Sequence, residues 1–335
     1  MIDFCSNDYL GIARQRLLNY GDVDGLLTGS TGSRLLAGNY PLIEAAELQI
    51  ASFHEAATAL IFNSGYDANL GLLSSVPQKG DTVLYDYLSH ASIRDGIRLS
   101  FAKAFSFAHN DLADLKKKLE SATGNIFIVT ESVFSMDGDL CPLHEMVQLA
   151  KAYNAHLIID EAHATGVIGD KGEGLVQSMG LQDHVFARVH TFGKACGCHG
   201  AVVLGSKQLK TYLINFSRSL IYSTALPAHA IEMIIRSYQL FPLMQNERKN
   251  LAELVAIFQR SDIRFEKLHS LTPIQGVIIP GNAPAKQMAA QLQQAGLDVR
   301  PILYPTVPEG KERLRIVIHA YNTAEEIYRL VSFMK

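Results

Sequence analysis

The chain has 335 residues, 48% apolar and 19% charged, with a net charge of −3 and four cysteines. That length suits one large domain plus a smaller one with a packed core, and excludes a disordered or fibrous chain. The charge balance lacks a nucleic-acid footprint, no apolar run is long enough to cross a bilayer, no leader is apparent and the cysteines form no disulfide framework, so the expectation is a cytoplasmic protein.

In chain order, Asn63-Ser64-Gly65-Tyr66 precedes a helical stretch over 67–73. A helix start offers free N–H groups to an anion; Gly65 permits close approach and the Ser64 hydroxyl adds a donor. The same residues also serve an ordinary helix start. Residues 81–85 read as a strand, followed by Ser89-His90-Ala91-Ser92. His90 could lie against a flat ligand or be structural. Residues 126–130, 156–160 and 200–204 read as strands, several of them continuously apolar as if buried on both faces, with a helix within 143–153. This alternation predicts an α/β domain with a mostly parallel sheet flanked by helices, its chemistry at the carboxyl ends of the strands.

Residues 228–259 read as helical throughout. Then follow a strand over 274–279, a helix over 286–295, a strand over 314–319 and an amphipathic helix over 323–334 with Thr323 as its N-cap. The expected organisation is an N-terminal arm over 1–37, a large domain over 38–227, and a linking helix with a small α+β domain over 228–335.

The apolar run ending in Asp160-Glu161-Ala162-His163 puts a carboxylate at a buried strand end, where it needs a cation. Alone, Asp160 also reads as a plain strand cap. Downstream is Thr191-Phe192-Gly193-Lys194-Ala195. A desolvated lysine becomes a nucleophile toward carbonyls, and pyridoxal-5′-phosphate (PLP) enzymes pair such a lysine with an acid for the ring nitrogen. Lys194 and Asp160 fit those roles; a lysine snorkelling at a sheet edge explains neither the neighbouring glycine nor the upstream acid. Cys196 and Cys198 lack a second ligand pair and read as packing residues rather than a metal site.

These blocks, with Ser6-Asn7-Asp8-Tyr9-Leu10-Gly11, Gly29-Ser30-Thr31-Gly32-Ser33-Arg34, Glu131-Ser132-Val133-Phe134-Ser135, Tyr304-Pro305-Thr306-Val307-Pro308 and Arg313-Leu314-Arg315-Ile316, resemble the α-oxoamine synthases, fold-type-I PLP enzymes, from Phe4 to the last helix. The resemblance implies a PLP-dependent acyltransferase that condenses an amino acid with an acyl thioester and releases CO2. It implies Lys194 as cofactor anchor and base, Asp160 at the ring nitrogen, His163 and Ser135 at the phenolic oxygen, and His90 on the ring face. Thr191 would contact the phosphate, with Ser64, Gly65 and Tyr66 lining the cofactor. A homodimer with shared active sites would bring Ser223 and Thr224 to the partner's phosphate. Asn7 and Arg315 would bind the amino acid carboxylate, arginine offering two parallel bonds; an Arg315 paired with Glu309 or Glu312 is the plain alternative. Thr306 would stand at the substrate.

Tyr222-Ser223-Thr224-Ala225-Leu226-Pro227 resembles members that join L-alanine to a pimeloyl thioester, on coenzyme A or acyl carrier protein, more than members that take glycine with acetyl, succinyl or long-chain donors. A non-catalytic partner subunit would lack the lysine, so Lys194, Asp160 and His163 together argue against it. Two differences bear on acyl recognition: the upstream helical segment of many relatives is expected to be missing, and Leu303 stands where an arginine is common, with Arg300 as a possible substitute.

Overall fold

Short β-rich apolar runs build the centre of the protein. The computed structural model describes residues 1–18 and 26–335; of the expected N-terminal arm, 19–25 lie outside these. Seven strands make one sheet: β1 (Thr58–Phe62), β2 (Thr82–Asp86), β3 (Lys103–Phe107), β4 (Ile126–Glu131), β5 (His156–Asp160), β6 (Ala187–Thr191) and β7 (Ala201–Gly205). Their order is β1-β7-β6-β5-β4-β2-β3, and only β7 runs against its neighbours. The expected mostly parallel sheet is present. The runs at 58–62, 103–107 and 187–191 add strands beyond those read from the sequence.

Side chains alternate across each strand. Leu60, Val83, Val129 and Ile158 pack on one face against helices α2 (Gly65–Ser75) and α3 (Ala91–Leu99); Ile61, Leu84, Ile128 and Ile159 face the other way, toward α1 (Pro41–Phe53) and α4 (Leu143–Ala152). Both faces are covered, which is why the central strands are apolar throughout.

The stretch over 228–259 is not one helix. It divides into α5 (Ala228–Leu240) and α6 (Gln245–Arg260), separated by a 3₁₀ turn at Phe241–Leu243. Pro242 supplies the reason: it has no N–H to donate and its ring crowds the preceding turn. Beyond lies an antiparallel sheet of β8 (Ile274–Ile278), β9 (Arg300–Ile302) and β10 (Arg313–Val317), in the order β9-β10-β8. Helices α7 (Asn282–Gln294) and α8 (Ala324–Ser332) accompany it, and Thr323 caps α8 in a reciprocal box with Glu326. The first residues join this C-terminal unit, Ile2–Asp3 pairing in parallel with Leu297–Asp298. No helix among the described residues is long and apolar enough to cross a membrane.

Two ties hold the loops beside the sheet's carboxyl edge. The Gly138 carbonyl accepts from Ser270 Oγ at 2.8 Å and Thr272 Oγ1 at 2.9 Å, joining the loop after β4 to the C-terminal unit. His109, just after β3, joins that loop to the last residue of β2, with Nδ1 3.0 Å from Asp86 Oδ1 and Nε2 2.7 Å from Asp139 Oδ2. Burial favours the neutral ring, but hydrogen bonds and charge from Asp139 and Asp86 outweigh it and raise the pKa to about 10. A pKa raised on folding gives stability that is full below the unfolded value of about 6.5 and is lost as pH rises toward 10. His109→Gln should therefore cost about 2 to 3 kcal/mol of unfolding free energy near pH 6 in denaturant titrations, with a difference that shrinks as pH approaches 10. A cost independent of pH would show that the ring's charge contributes nothing.

Candidate active site

The carboxyl ends of β4, β5 and β6 and the start of α2 enclose a cavity of about 280 Å³. Asn7, Ser64, Gly65, Tyr66, His90, Asp160, His163, Thr191 and Lys194 of the expected residues line it. Fold and sequence distance therefore converge residues that span most of the chain.

Lys194 follows β6, and its Nζ lies 2.9 Å from His163 Nε2. Desolvation lowers the amine's pKa to about 8, against the raising pull of Asp160 and Glu131. His163 is buried and held neutral, first by desolvation and then by the charges of Lys194 and Arg315. Its Nδ1 lies 2.6 Å from the Tyr9 hydroxyl. Tyr9 in turn reaches Asn7 Oδ1, which also accepts from Arg315 Nη2 at 3.0 Å.

Asp160 ends β5 and is nearly buried. Its Oδ1 accepts from the Ala162 N–H at 2.8 Å and its Oδ2 from Asn69 Nδ2 at 2.7 Å. Asn69 also donates to Ser92 Oγ at 3.0 Å, and Ser92 meets His90 Nδ1 at 2.8 Å. This chain fixes the His90 ring relative to Asp160. Glu131 ends β4, accepts from the His90 N–H, and has its pKa raised by burial and by Asp160.

The donor set fits PLP. Asp160 is buried and, among the described residues, has no ion pair, so a protonated ring nitrogen would supply the cation its burial calls for. Lys194 offers an amine of depressed basicity to an aldehyde. A Cβ at Gly65 would stand 2.5 Å from Thr191 Cγ2, so glycine lets the start of α2 close on the Thr191 side of the cavity. The Ser64 hydroxyl is already engaged as the N-cap, accepting from the Asp67 N–H at 3.0 Å and donating to Asp67 Oδ2 at 2.9 Å. The Tyr66 hydroxyl donates to Asp95.

Ser135 and Thr306 line a second cavity of about 570 Å³, which shares His90 with the first. Ser135 presents its carbonyl to Arg315 Nε at 2.8 Å. Arg315 pairs with neither proposed glutamate; Glu312 instead accepts from the Gly281 N–H. Ser223 lines a separate crevice with Arg34 and Asn63, and Thr224 presents its carbonyl to Asn63. Leu303 packs on the core, and Arg300 pairs with Asp298 at 3.0 Å and lines neither cavity. Cys196 is buried, and the Cys198 thiol meets the Met233 carbonyl.

Residues 1–334 match the class I and II aminotransferase family. The chain belongs to that family. Two relatives of this aminotransferase-family chain are called 8-amino-7-oxononanoate synthase. That of Emericella nidulans is 41% identical over 97% of this chain and 86% of its own. That of Lysinibacillus sphaericus is 41% identical over 99% and 87%. The solved serine palmitoyltransferase of S. paucimobilis, with PLP and myriocin bound, superposes with a TM-score of 0.93 at 28% identity, covering 99% of this chain and 85% of that one. The solved 8-amino-7-oxononanoate synthase of Francisella tularensis gives 0.87 at 29%, covering 100% and 96%. The α-oxoamine synthase resemblance, the fold-type-I architecture and PLP as cofactor are borne out.

Asn69, Ser92 and Glu131 also line the cavity, and Tyr9 stands behind it; the motifs assign none of them a role. Glu131 carries the same signal as Asp160, an acid closing an apolar strand.

Proposed function

We propose that this enzyme condenses L-alanine with a pimeloyl thioester to give 8-amino-7-oxononanoate, CO2 and the free thiol, a step of biotin biosynthesis. One observation carries the chemistry: the half-buried Lys194 amine and buried Asp160 share a cavity with the Asn7 amide, which Arg315 holds from behind. Identity of 41% across nearly the whole chain supports the choice of substrates.

Lys194 holds the PLP aldehyde, Asp160 the ring nitrogen, His90 the ring face, His163 the phenolic oxygen, and the start of α2 with Thr191 the phosphate. Bound there, PLP supplies an electron sink for charge developing at the amino acid's α-carbon. Arg315 and Asn7 hold the substrate carboxylate and so orient that carbon. With the substrate's own amine on the aldehyde in its place, the freed Lys194 Nζ would take the α-proton, its depressed basicity leaving a usable fraction unprotonated near neutral pH. The larger cavity, lined by Leu88, Phe134, Met136 and Val307 and open to His90, suits the acyl chain. A homodimer in the cytoplasm, with Ser223 and Thr224 turned to the partner's cofactor, completes this reading; the donor is a coenzyme A or acyl carrier protein thioester.

The test is CO2 release with a panel of amino acids and thioesters. L-alanine with a pimeloyl thioester should turn over fastest. Faster turnover of glycine or serine with another acyl donor would move the enzyme to a sibling activity, which the fit to serine palmitoyltransferase keeps in view. No turnover with any pair would sink the proposal. Arg315→Lys should raise the KM for alanine by about tenfold to a hundredfold with a smaller change in kcat, because an ammonium cannot make the paired bonds. An unchanged KM would remove Arg315 from carboxylate binding.

A further inference from the structure

Tyr9 is fully buried behind the cavity wall and does not line it. Its hydroxyl lies 2.6 Å from His163 Nδ1 and 3.2 Å from Asn7 Oδ1. At the ends of this chain, Lys194 Nζ lies 2.9 Å from His163 Nε2 and Arg315 Nη2 donates to Asn7 Oδ1 at 3.0 Å.

The direction of every bond follows from one end. A guanidinium only donates, so Asn7 turns its oxygen to Arg315 and, with the same atom, to Tyr9. Burial keeps the phenol protonated. Its single proton goes to Asn7 Oδ1, because otherwise two acceptors would face each other at 3.2 Å. The phenol oxygen then accepts from His163, so Nδ1 bears the imidazole proton. His163 is held neutral, and Nε2 is therefore bare and accepts from Lys194.

We propose that Tyr9 is a positioning residue that carries the donor-only character of Arg315 to His163, fixing which ring nitrogen holds the proton at the Lys194 end of the site. The inference deepens the PLP-site reading above and rests on it. Tyr9 acts through His163, so its effect depends on that ring.

Tyr9→Phe removes one oxygen and keeps the ring that fills the core. PLP affinity of the full chain is to be measured for wild type, Tyr9→Phe, His163→Asn and the double variant. Tyr9→Phe should weaken PLP about tenfold in the wild-type background, since it strands a buried imidazole N–H, and less than about twofold in His163→Asn. Equal losses in both backgrounds, or none in either, would overturn the proposal. Should Tyr9→Phe fail to fold, ¹⁵N spectra of histidine-labelled wild-type chain before PLP is added decide the matter, with the His163 signal assigned by its loss in His163→Asn. Protonated Nδ1 and bare Nε2 are expected; the opposite tautomer or an even mixture overturns the proposal. A wild-type chain that binds no PLP would instead defeat the cofactor roles given to Lys194 and Asp160, while the ring spectrum still tests Tyr9.

Discussion

Lys194→Ala is expected to lose the visible absorbance of bound PLP and to lower turnover by about 10⁴-fold or more. In the proposed reaction the side chain has two duties, holding the cofactor and moving the α-proton. Among the described residues lining the cavity, Lys194 carries the only amine side chain, so no neighbour can take over. The histidines there cannot replace it: burial holds both His90 and His163 below their ordinary basicity, and neither ring offers a primary amine to an aldehyde. The measurements are an absorbance spectrum after gel filtration and CO2 release with alanine and a pimeloyl thioester. A retained visible band in the variant would remove Lys194 as the anchor.

Asp160→Asn should lower turnover between about 10²-fold and 10³-fold and weaken PLP binding, the cost of breaking a buried ion pair. The amide keeps the shape of the carboxylate but carries no charge to hold a protonated ring nitrogen. It also has one acceptor where the carboxylate has two, so either Asn69 Nδ2 or the Ala162 N–H loses its partner. The disturbance reaches His90 by way of Asn69 and Ser92. Steady-state kinetics and PLP titration check this; wild-type values for both would show that Asp160 is only a strand cap.

Apolar strands buried on both faces are visible as apolar runs, and the reading of 156–160 as a strand matches β5 residue for residue. The edge strand β3 was hidden because Lys103, Ala104 and Phe105 are exposed and carry no burial pattern. The break at Pro242 was readable from its chemistry, yet the apolar periodicity on both sides masked it. Within the site, Lys194, Asp160 and His163 lie in compact motifs near strand ends, where local sequence announces function. Asn69 sits mid-helix, and its role comes from facing Asp160 across 91 positions of sequence.

The sequence by itself determined the α/β class, the PLP family and the residues proposed to carry the cofactor, because those depend on residue type and on order along the chain. Tertiary structure alone decided how distant groups share protons. Tyr9 meets His163 across 154 positions and Arg315 meets Asn7 across 308, separations over which no local pattern constrains contact. The direction of a hydrogen bond depends on every partner within reach, and those partners exist only once the N-terminal strand has docked on the C-terminal unit and set Asn7, Tyr9 and Arg315 against the end of the large sheet.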